Sequence, residues 1–200
     1  MVNIAILASG EGTNAEKIIQ YFNEYDPLTG KGPFQDARVS CVISNKENAG
    51  VLRRIRRYKV PKYFSDKYVE IDEILTKHEI HYVVLAGYLD KIPPNFCKKY
   101  QYRIINIHPS LLPKYGGKGM YGMNVHNAVK NNNETETGIT IHFVNEEFDS
   151  GMILFQHKIK IQPKDTAEDI RNAVQILEHD FYPTIIEKLI KGTYNQLFSK

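Results

Sequence analysis

The stretch Ile104-Ile105-Asn106-Ile107-His108-Pro109-Ser110-Leu111-Leu112-Pro113 decides how the rest of the chain is read. Isoleucines at 104, 105 and 107 predict a buried β-strand, and strand side chains alternate between faces, so Asn106 and His108 emerge on the same side. Pro109, which has no backbone N–H to give to a sheet, ends the strand. An amide and an imidazole are thereby delivered together to the carboxyl end of a core strand, the edge at which open α/β sheets place their ligands. The plainer alternative is a pair of hydrogen-bonded polar groups at a strand end.

Working outward, residues 2–8 form a short apolar run of the kind that fills a parallel strand covered on both faces. Ser9-Gly10-Glu11-Gly12-Thr13-Asn14 follows, then a segment with helical spacing of Ala15, Ile18, Ile19, Tyr21 and Phe22. Glycines let backbone N–H groups approach a ligand closely, and a helix amino terminus adds about half a positive charge, so this loop is suited to a phosphate. It is neither the dinucleotide fingerprint nor a Walker loop, because the third glycine and the lysine are missing. A tight turn with Thr13 or Asn14 capping the helix is the alternative.

Turn residues without periodicity predict a surface loop between Tyr25 and Gln35. Residues 37–44 predict a strand, 45–58 a helix, 60–64 a short strand, 67–78 a helix and 82–86 another apolar strand. This alternation predicts a single α/β domain over residues 1–200, Rossmann-like and doubly wound, with a mostly parallel sheet and helices on both faces. Right-handed crossovers put the strand ends on one edge. The loop at residues 10–14, the loop after Gly87 and the Asn106/His108 pair are therefore expected to face one crevice.

Beyond Pro113 a glycine-rich loop from Lys114 to Gly122 borders that edge, and a short helix is expected over residues 125–130. Residues 138–144 alternate as a strand, with Ile139, Ile141 and Phe143 on one face and Thr140 and His142 on the other; residues 152–161 form a further strand. From Asp165 a long helix runs with Ile170, Ala173, Val174, Leu177 and Phe181 as its apolar stripe, Asp165 or Thr166 as its cap and Glu178 beside the stripe. Pro183 is expected to bend or break it.

Composition narrows the function. Of 200 residues 42% are hydrophobic, enough to bury a real core, and the net charge of +3 with pI near 8.7 suits an anionic small molecule rather than nucleic acid. The most basic segment, Arg53-Arg54-Ile55-Arg56-Arg57-Tyr58-Lys59, reads as a solvated helix face because Val51, Leu52 and Ile55 still supply an apolar stripe. No apolar run approaches the roughly 18 residues of a membrane span, and no signal peptide precedes the first strand, so a cytoplasmic protein is expected. Cys41 and Cys97 lack a pairing or metal-ligand pattern and are expected to be reduced packing residues. The histidines show no zinc-ligand spacing, so no metal is expected.

Five blocks in order resemble the phosphoribosylglycinamide formyltransferases, folate-dependent enzymes of purine synthesis, over practically the whole length. They are the loop from Ser9 to Asn14, Leu85-Ala86-Gly87-Tyr88, the stretch from Asn106 to Pro113, Gly138 to Val144 with Asp149-Ser150-Gly151, and Gln175 to His179 followed by Tyr182-Pro183. The resemblance implies the formyltransferase fold and a catalytic trio of Asn106, His108 and Asp149. It implies ribonucleotide contacts from Gly12, Thr13, Asn14, Gln175, Ile176, Leu177 and Glu178. It further implies that Leu89, Asp90, Lys91 and Ile92, with Asn145, Glu146, Glu147, Phe148 and Asp149, hold 10-formyltetrahydrofolate, the formyl donor. Asp90-Lys91 replaces the family's more usual arginine and aliphatic residue, Phe148 stands at a commonly aliphatic position, and His126 alone remains of two customary histidines, with Asn124 at the other position.

The residues suit the chemistry in their own right. Formyl transfer to an amine passes through a tetrahedral intermediate bearing an oxyanion, to which Asn106 and a protonated His108 can donate, with Asp149 keeping the histidine charged and assisting proton transfer. Ser110 beside His108 suggests a hydrolase, but Pro109 intervenes and there is no nucleophile elbow. The alternatives are another formyltetrahydrofolate-dependent transferase or hydrolase, or a nucleotide-binding α/β module without catalysis. Methionyl-tRNA formyltransferase carries an additional carboxyl-terminal RNA-binding domain and formylfolate hydrolase an amino-terminal regulatory one, whereas only residues 193–200 follow the last helix here and Met1 leads directly into the first strand.

Overall fold

The computed structural model describes residues 1–24 and 34–192. Most of the surface loop expected between Tyr25 and Gln35, and the tail at residues 193–200, lie outside the described residues. Two compact units divide the chain, one formed by Met1–Tyr88 with Phe181–Lys200 and the other by Leu89–Asp180.

The first unit contains β1 (Val2–Leu7), α1 (Thr13–Asn23), β2 (Ala37–Ser44), α2 (Gly50–Arg54) continued by a 3-10 turn (Ile55–Arg57), β3 (Lys62–Phe64), α3 (Tyr68–Lys77) and β4 (Tyr82–Leu85). Its strands lie in the order β3-β2-β1-β4, and every adjacent pair is parallel. The chain winds outward from β1 through β2 to β3, then returns to place β4 on the other side of β1. That reversal opens the switch point at which α/β sheets bind ligands, beyond the carboxyl ends of β1 and β4. The loops leaving those two strands are tied there by the Ser9 N–H donating to the Gly87 carbonyl at 3.0 Å. Apolar spacing accounts for the packing: Ile4, Ala5, Ile6 and Leu7 of β1 are fully buried, as are Ala15, Ile18 and Ile19 of α1.

The second unit holds α4 (Pro94–Lys99), β5 (Ile104–His108), α5 (Met123–Asn131), β6 (Glu136–Phe143) and β7 (Ile153–Lys160). Here β5, β6 and β7 are antiparallel neighbours, with Asn106 opposite His142 and His108 opposite Thr140. Parallel pairing thus characterises the first unit and an antiparallel meander the second. The helix α6 (Ala167–Ile190) belongs to the second unit as far as Asp180 and to the first beyond it. Thr166 caps it reciprocally: its Oγ1 accepts from the Asp169 N–H at 3.1 Å while Asp169 Oδ2 accepts from the Thr166 N–H at 2.9 Å.

Two elements differ from expectation. The helix predicted from residue 45 starts only at Gly50, because Ser44 Oγ bonds both the N–H and the carbonyl of Lys46 at 3.1 Å and offers the backbone a local alternative to helix. Pro183 does not break α6, which runs through it. A helical proline costs about 3 kcal/mol or more. Against that, Tyr182, Ile185 and Ile186 around it are buried, and Tyr182 donates its hydroxyl to the Leu85 carbonyl at 2.9 Å. Each buried large apolar side chain is worth about 1.5–3 kcal/mol, so tertiary packing outweighs the local defect.

Candidate active site

The second unit assembles a polar cluster at the end of β5. Strand alternation brings Asn106 and His108 out on one face, and antiparallel pairing sets His142 of β6 directly across from Asn106. Asn106 Nδ2 lies 3.1 Å from His142 Nε2 and donates to Asp149 Oδ1 at 3.4 Å. His108 Nδ1 lies 3.4 Å from Asp149 Oδ2, which accepts the Gly117 N–H at 2.9 Å. Asn106 and His108 of β5 thus converge on the Asp149 carboxylate, each side-chain nitrogen facing its own oxygen. Both approaches at 3.4 Å are longer than a well-made hydrogen bond.

Carbonyl partners assign the protons on both imidazoles, since a carbonyl only accepts. His108 Nε2 lies 2.7 Å from the Tyr115 carbonyl and must donate to it, which leaves Nδ1 to face Asp149. His142 Nδ1 lies 2.8 Å from the Phe143 carbonyl and donates likewise, leaving Nε2 to face Asn106. The turn after β5 holds Tyr115 in place. Thr140 Oγ1 donates to the Ser110 carbonyl at 2.7 Å and accepts the Leu112 N–H at 3.0 Å, and Gln156 of β7 donates to the Leu112 carbonyl at 3.0 Å. Ser110 is fully buried with its hydroxyl given to the Lys114 carbonyl at 2.6 Å, so it braces the turn instead of acting as a nucleophile.

Two residues of the site hold strained backbone. Tyr115 and Asp149 have φ of 57° and 52°, a region that L side chains seldom occupy. Gly151 is required two residues on, because a Cβ there would lie 1.7 Å from the Phe143 carbonyl oxygen. Asn145 Oδ1 accepts from the Glu147 N–H and the Ser150 hydroxyl, folding residues 145–150 back so that Asp149 reaches the strand end.

Electrostatics differ from the sequence expectation in one respect. Burial, the largest influence, pushes the His108 imidazolium below its ordinary value, outweighing the opposing pull of Asp149 and of the Tyr115 carbonyl. The carboxylate therefore does not raise the histidine above its usual range. For Asp149, burial acts to raise the carboxyl, but the His142 hydrogen bond, the His108 charge and the Gly117 N–H together hold it below the usual range. Asp149 is the charged member of the pair. His126 on α5, buried with Arg171 and His108 nearby, is pushed down to about 4.

The residues expected to hold the folate fall in the same unit. The stretch 89–92 and the loop 145–149 meet: Lys91 Nζ lies 3.5 Å from Glu147 Oε2 and 5.9 Å from the Phe148 ring centre, and Cys97 Sγ lies 3.3 Å from the Asn145 carbonyl. Lys91 and Phe148, both departures from the family pattern, touch one another. Ile92 is buried, whereas Leu89, Asp90, Asn145, Glu146, Glu147 and Phe148 are exposed.

The residues expected to contact the ribonucleotide are divided between the units. Gly12, buried with φ 76°, is the N-cap of α1, and no side chain caps that end. Thr13 and Asn14 are half-buried there. On α6, Gln175, Leu177 and Glu178 are half-buried and Ile176 is exposed.

Three groups of the site were not singled out from sequence as members: His142, the Tyr115 carbonyl and the Gly117 N–H. Alternation put His142 on a face with Thr140, but only the β5/β6 register sets it against Asn106. Among the described residues no group of three or more His, Cys, Asp or Glu side chains is arranged to hold a metal ion, and no helix is long and apolar enough to cross a membrane.

The sequence model of the Formyl transferase family matches residues 2–186. The phosphoribosylglycinamide formyltransferase of Haemophilus influenzae is 35% identical over 202 aligned residues, which cover 96% of this chain and 89% of the relative. That of Bacillus subtilis is 34% identical and covered to 95% on both sides. Among solved structures, the enzyme of Bacillus halodurans superposes with a TM-score of 0.82 at 34% identity, over 98% of this chain and all of that one. The enzyme of Anaplasma phagocytophilum superposes with a TM-score of 0.84 at 28% identity, over 95% and 87%. With the expected α/β formyltransferase fold and order of blocks in place, the chain belongs to the Formyl transferase family, among its phosphoribosylglycinamide formyltransferases.

Proposed function

We propose that this chain transfers the formyl group of 10-formyltetrahydrofolate to the amine of glycinamide ribonucleotide in de novo purine biosynthesis, in the cytoplasm, as one formyltransferase domain over residues 1–200. The observation that carries this reading is the convergence of Asn106 Nδ2 and His108 Nδ1 on the two oxygens of Asp149. A formyl oxygen entering between these two nitrogens receives the Asn106 Nδ2–H hydrogen bond as it becomes an oxyanion, and a second from His108 once Nδ1 has taken up the amine's proton. One preorganised donor of this kind is typically worth about 10² to 10³ in rate.

Proton movement follows from the charge state. In the free site the lowered pKa of His108 favours the neutral ring, with Nε2–H given to Tyr115 and the Nδ1 lone pair available. Attack of the substrate amine on the formyl carbon forms the new C–N bond and puts a positive charge on nitrogen and a negative charge on oxygen. Nδ1 accepts the proton released by that nitrogen, and Asp149 stabilises the resulting imidazolium. Nδ1–H then supports the oxyanion beside Asn106 and delivers the proton to the folate nitrogen as its bond to the formyl carbon breaks. His142 orients the Asn106 amide. Leu89, Asp90, Lys91 and Ile92, with residues 145–149, hold the folate. Gly12, Thr13 and Asn14 take the ribonucleotide phosphate, and Gln175, Ile176, Leu177 and Glu178 line the rest of the ribonucleotide site, Glu178 orienting the amine.

Incubation with 10-formyltetrahydrofolate and glycinamide ribonucleotide tests the proposal directly. Tetrahydrofolate release that depends on the ribonucleotide is expected. Release at the same rate without it would identify a hydrolase, and no release at all would leave a binding module.

A further inference from the structure

We propose that Arg54 is a positioning residue for ribonucleotide binding: it holds the turn at residues 10–12 so that the turn's carbonyls point away from the phosphate. The inference rests on the reading that this turn receives the phosphate, and every group it uses lies in the first compact unit.

A glycine turn before a helix can bind an anion only if its backbone dipoles are oriented for it. Carbonyl oxygens carry partial negative charge and repel phosphate as strongly as N–H groups attract it. Two carbonyls of this turn are drawn back onto the segment that begins α2. The Val51 N–H donates to the Gly10 carbonyl at 2.9 Å, and Arg54 Nε donates to the Glu11 carbonyl at 2.7 Å. Gly12 closes the turn against the same segment, and a Cβ on it would lie 2.5 Å from Val51 Cγ2. Val51 acts through its backbone and a fixed shape, whereas Arg54 acts through a long side chain that must itself be anchored.

Glu16, in the first turn of α1, supplies the anchor. Its Oε2 lies 3.1 Å from Arg54 Nη1, while its Oε1 accepts from Arg57 Nη2 at 2.8 Å and from the Tyr58 hydroxyl at 3.1 Å. The Glu16 side chain is only 17% exposed, and the Arg54 side chain 34%. One guanidinium therefore links the turn carbonyl to the helix that follows it, using Nε for one and Nη1 for the other. A lysine offers a single ammonium in place of this fork and cannot reproduce both contacts in one geometry. The basic run at residues 53–59, which sequence alone reads as a solvated face, thus has one member engaged with the glycine turn.

Steady-state kinetics of Arg54→Ala, Arg54→Lys and Gly10→Val, with thermal midpoints measured alongside, test the inference. A Cβ on Gly10 meets nothing within 4 Å in the folded chain, so Gly10→Val obstructs the ligand side without repacking the protein. Arg54→Ala is expected to raise the KM for glycinamide ribonucleotide about 10-fold with kcat changed less than about twofold and folate KM unchanged, because Arg54 touches no reacting atom. Arg54→Lys should recover part of the loss. If Arg54→Ala lowers the thermal midpoint while the ribonucleotide KM stays at the parent value, Arg54 is merely structural and the inference is overturned. If Gly10→Val raises that KM and Arg54→Ala does not, only the role of Arg54 falls. If Gly10→Val also leaves the KM unchanged, the turn is not the phosphate site and both readings fall.

Discussion

Replacing Asp149 by asparagine separates charge from shape at the centre of the site. Asp149 Oδ2 lies 3.4 Å from His108 Nδ1, and at an effective dielectric of about 20 a charge pair at that distance is worth about 5 kcal/mol. The carboxylate also serves the Gly117 N–H and Asn106, so only part of that figure acts on the histidine. Burial already lowers the imidazolium and Asp149 opposes it, so removing the charge lowers it further. In the parent, kcat/KM should rise with pH through a value below 6.5 as neutral His108 forms. In Asp149→Asn this acid limb should move to lower pH, while the plateau kcat falls about 10²-fold or more because the imidazolium formed during reaction has lost its partner. The assay is a pH series of kcat and kcat/KM, joined to an NMR titration of the His108 ring. Asn106→Ala should lower the plateau by about 10² to 10³ with the limb in place, since an amide does not titrate. A plateau within about threefold of the parent in Asp149→Asn, or a His108 ring that titrates at the parent pH, would refute the division of roles.

Glu178→Gln should raise the ribonucleotide KM or lower kcat while helical content stays at the parent value; unchanged kinetics would return Glu178 to an ordinary helix residue. His126 makes stability pH-dependent with a definite sign: its folded pKa of about 4 lies below the unfolded 6.5, so its contribution is complete above pH 6.5 and drains away as pH falls toward 4. Urea unfolding at pH 7.5 and 5.0 should differ by about 1 to 2 kcal/mol more in the parent than in His126→Gln, allowing for solvent screening; equal differences would contradict the burial of a neutral ring. Gly151→Ala should destabilise the fold by about 3 kcal/mol or more and abolish turnover, because its Cβ would meet the Phe143 carbonyl oxygen at 1.7 Å. A thermal midpoint at the parent value would show that the turn carrying Asp149 can rearrange freely.

Local chemistry determined much of this protein in advance. The isoleucine spacing around Asn106 and His108, the apolar run of β1 and the glycine turn before α1 each obey rules that act over a few residues, so strand, turn and helix were legible one by one, and their alternation gave the α/β class. The order of motifs sufficed for the family, because order along a chain is itself sequence information. What required tertiary structure were relations between distant residues. His142 joins the site only through the antiparallel register of β5 and β6, and a shift by one residue would have turned it to the opposite face. Tyr115 and Gly117 contribute backbone atoms, which no side-chain pattern announces. Pro183 stays inside α6 because the burial of Tyr182, Ile185 and Ile186 exceeds a local penalty that sequence reasoning weighs alone. The direction of the His108 shift reversed for the same reason: a neighbouring carboxylate is visible in the pattern of residues, but the removal of water from around the ring is a property of the whole packed unit, and here it is the stronger effect.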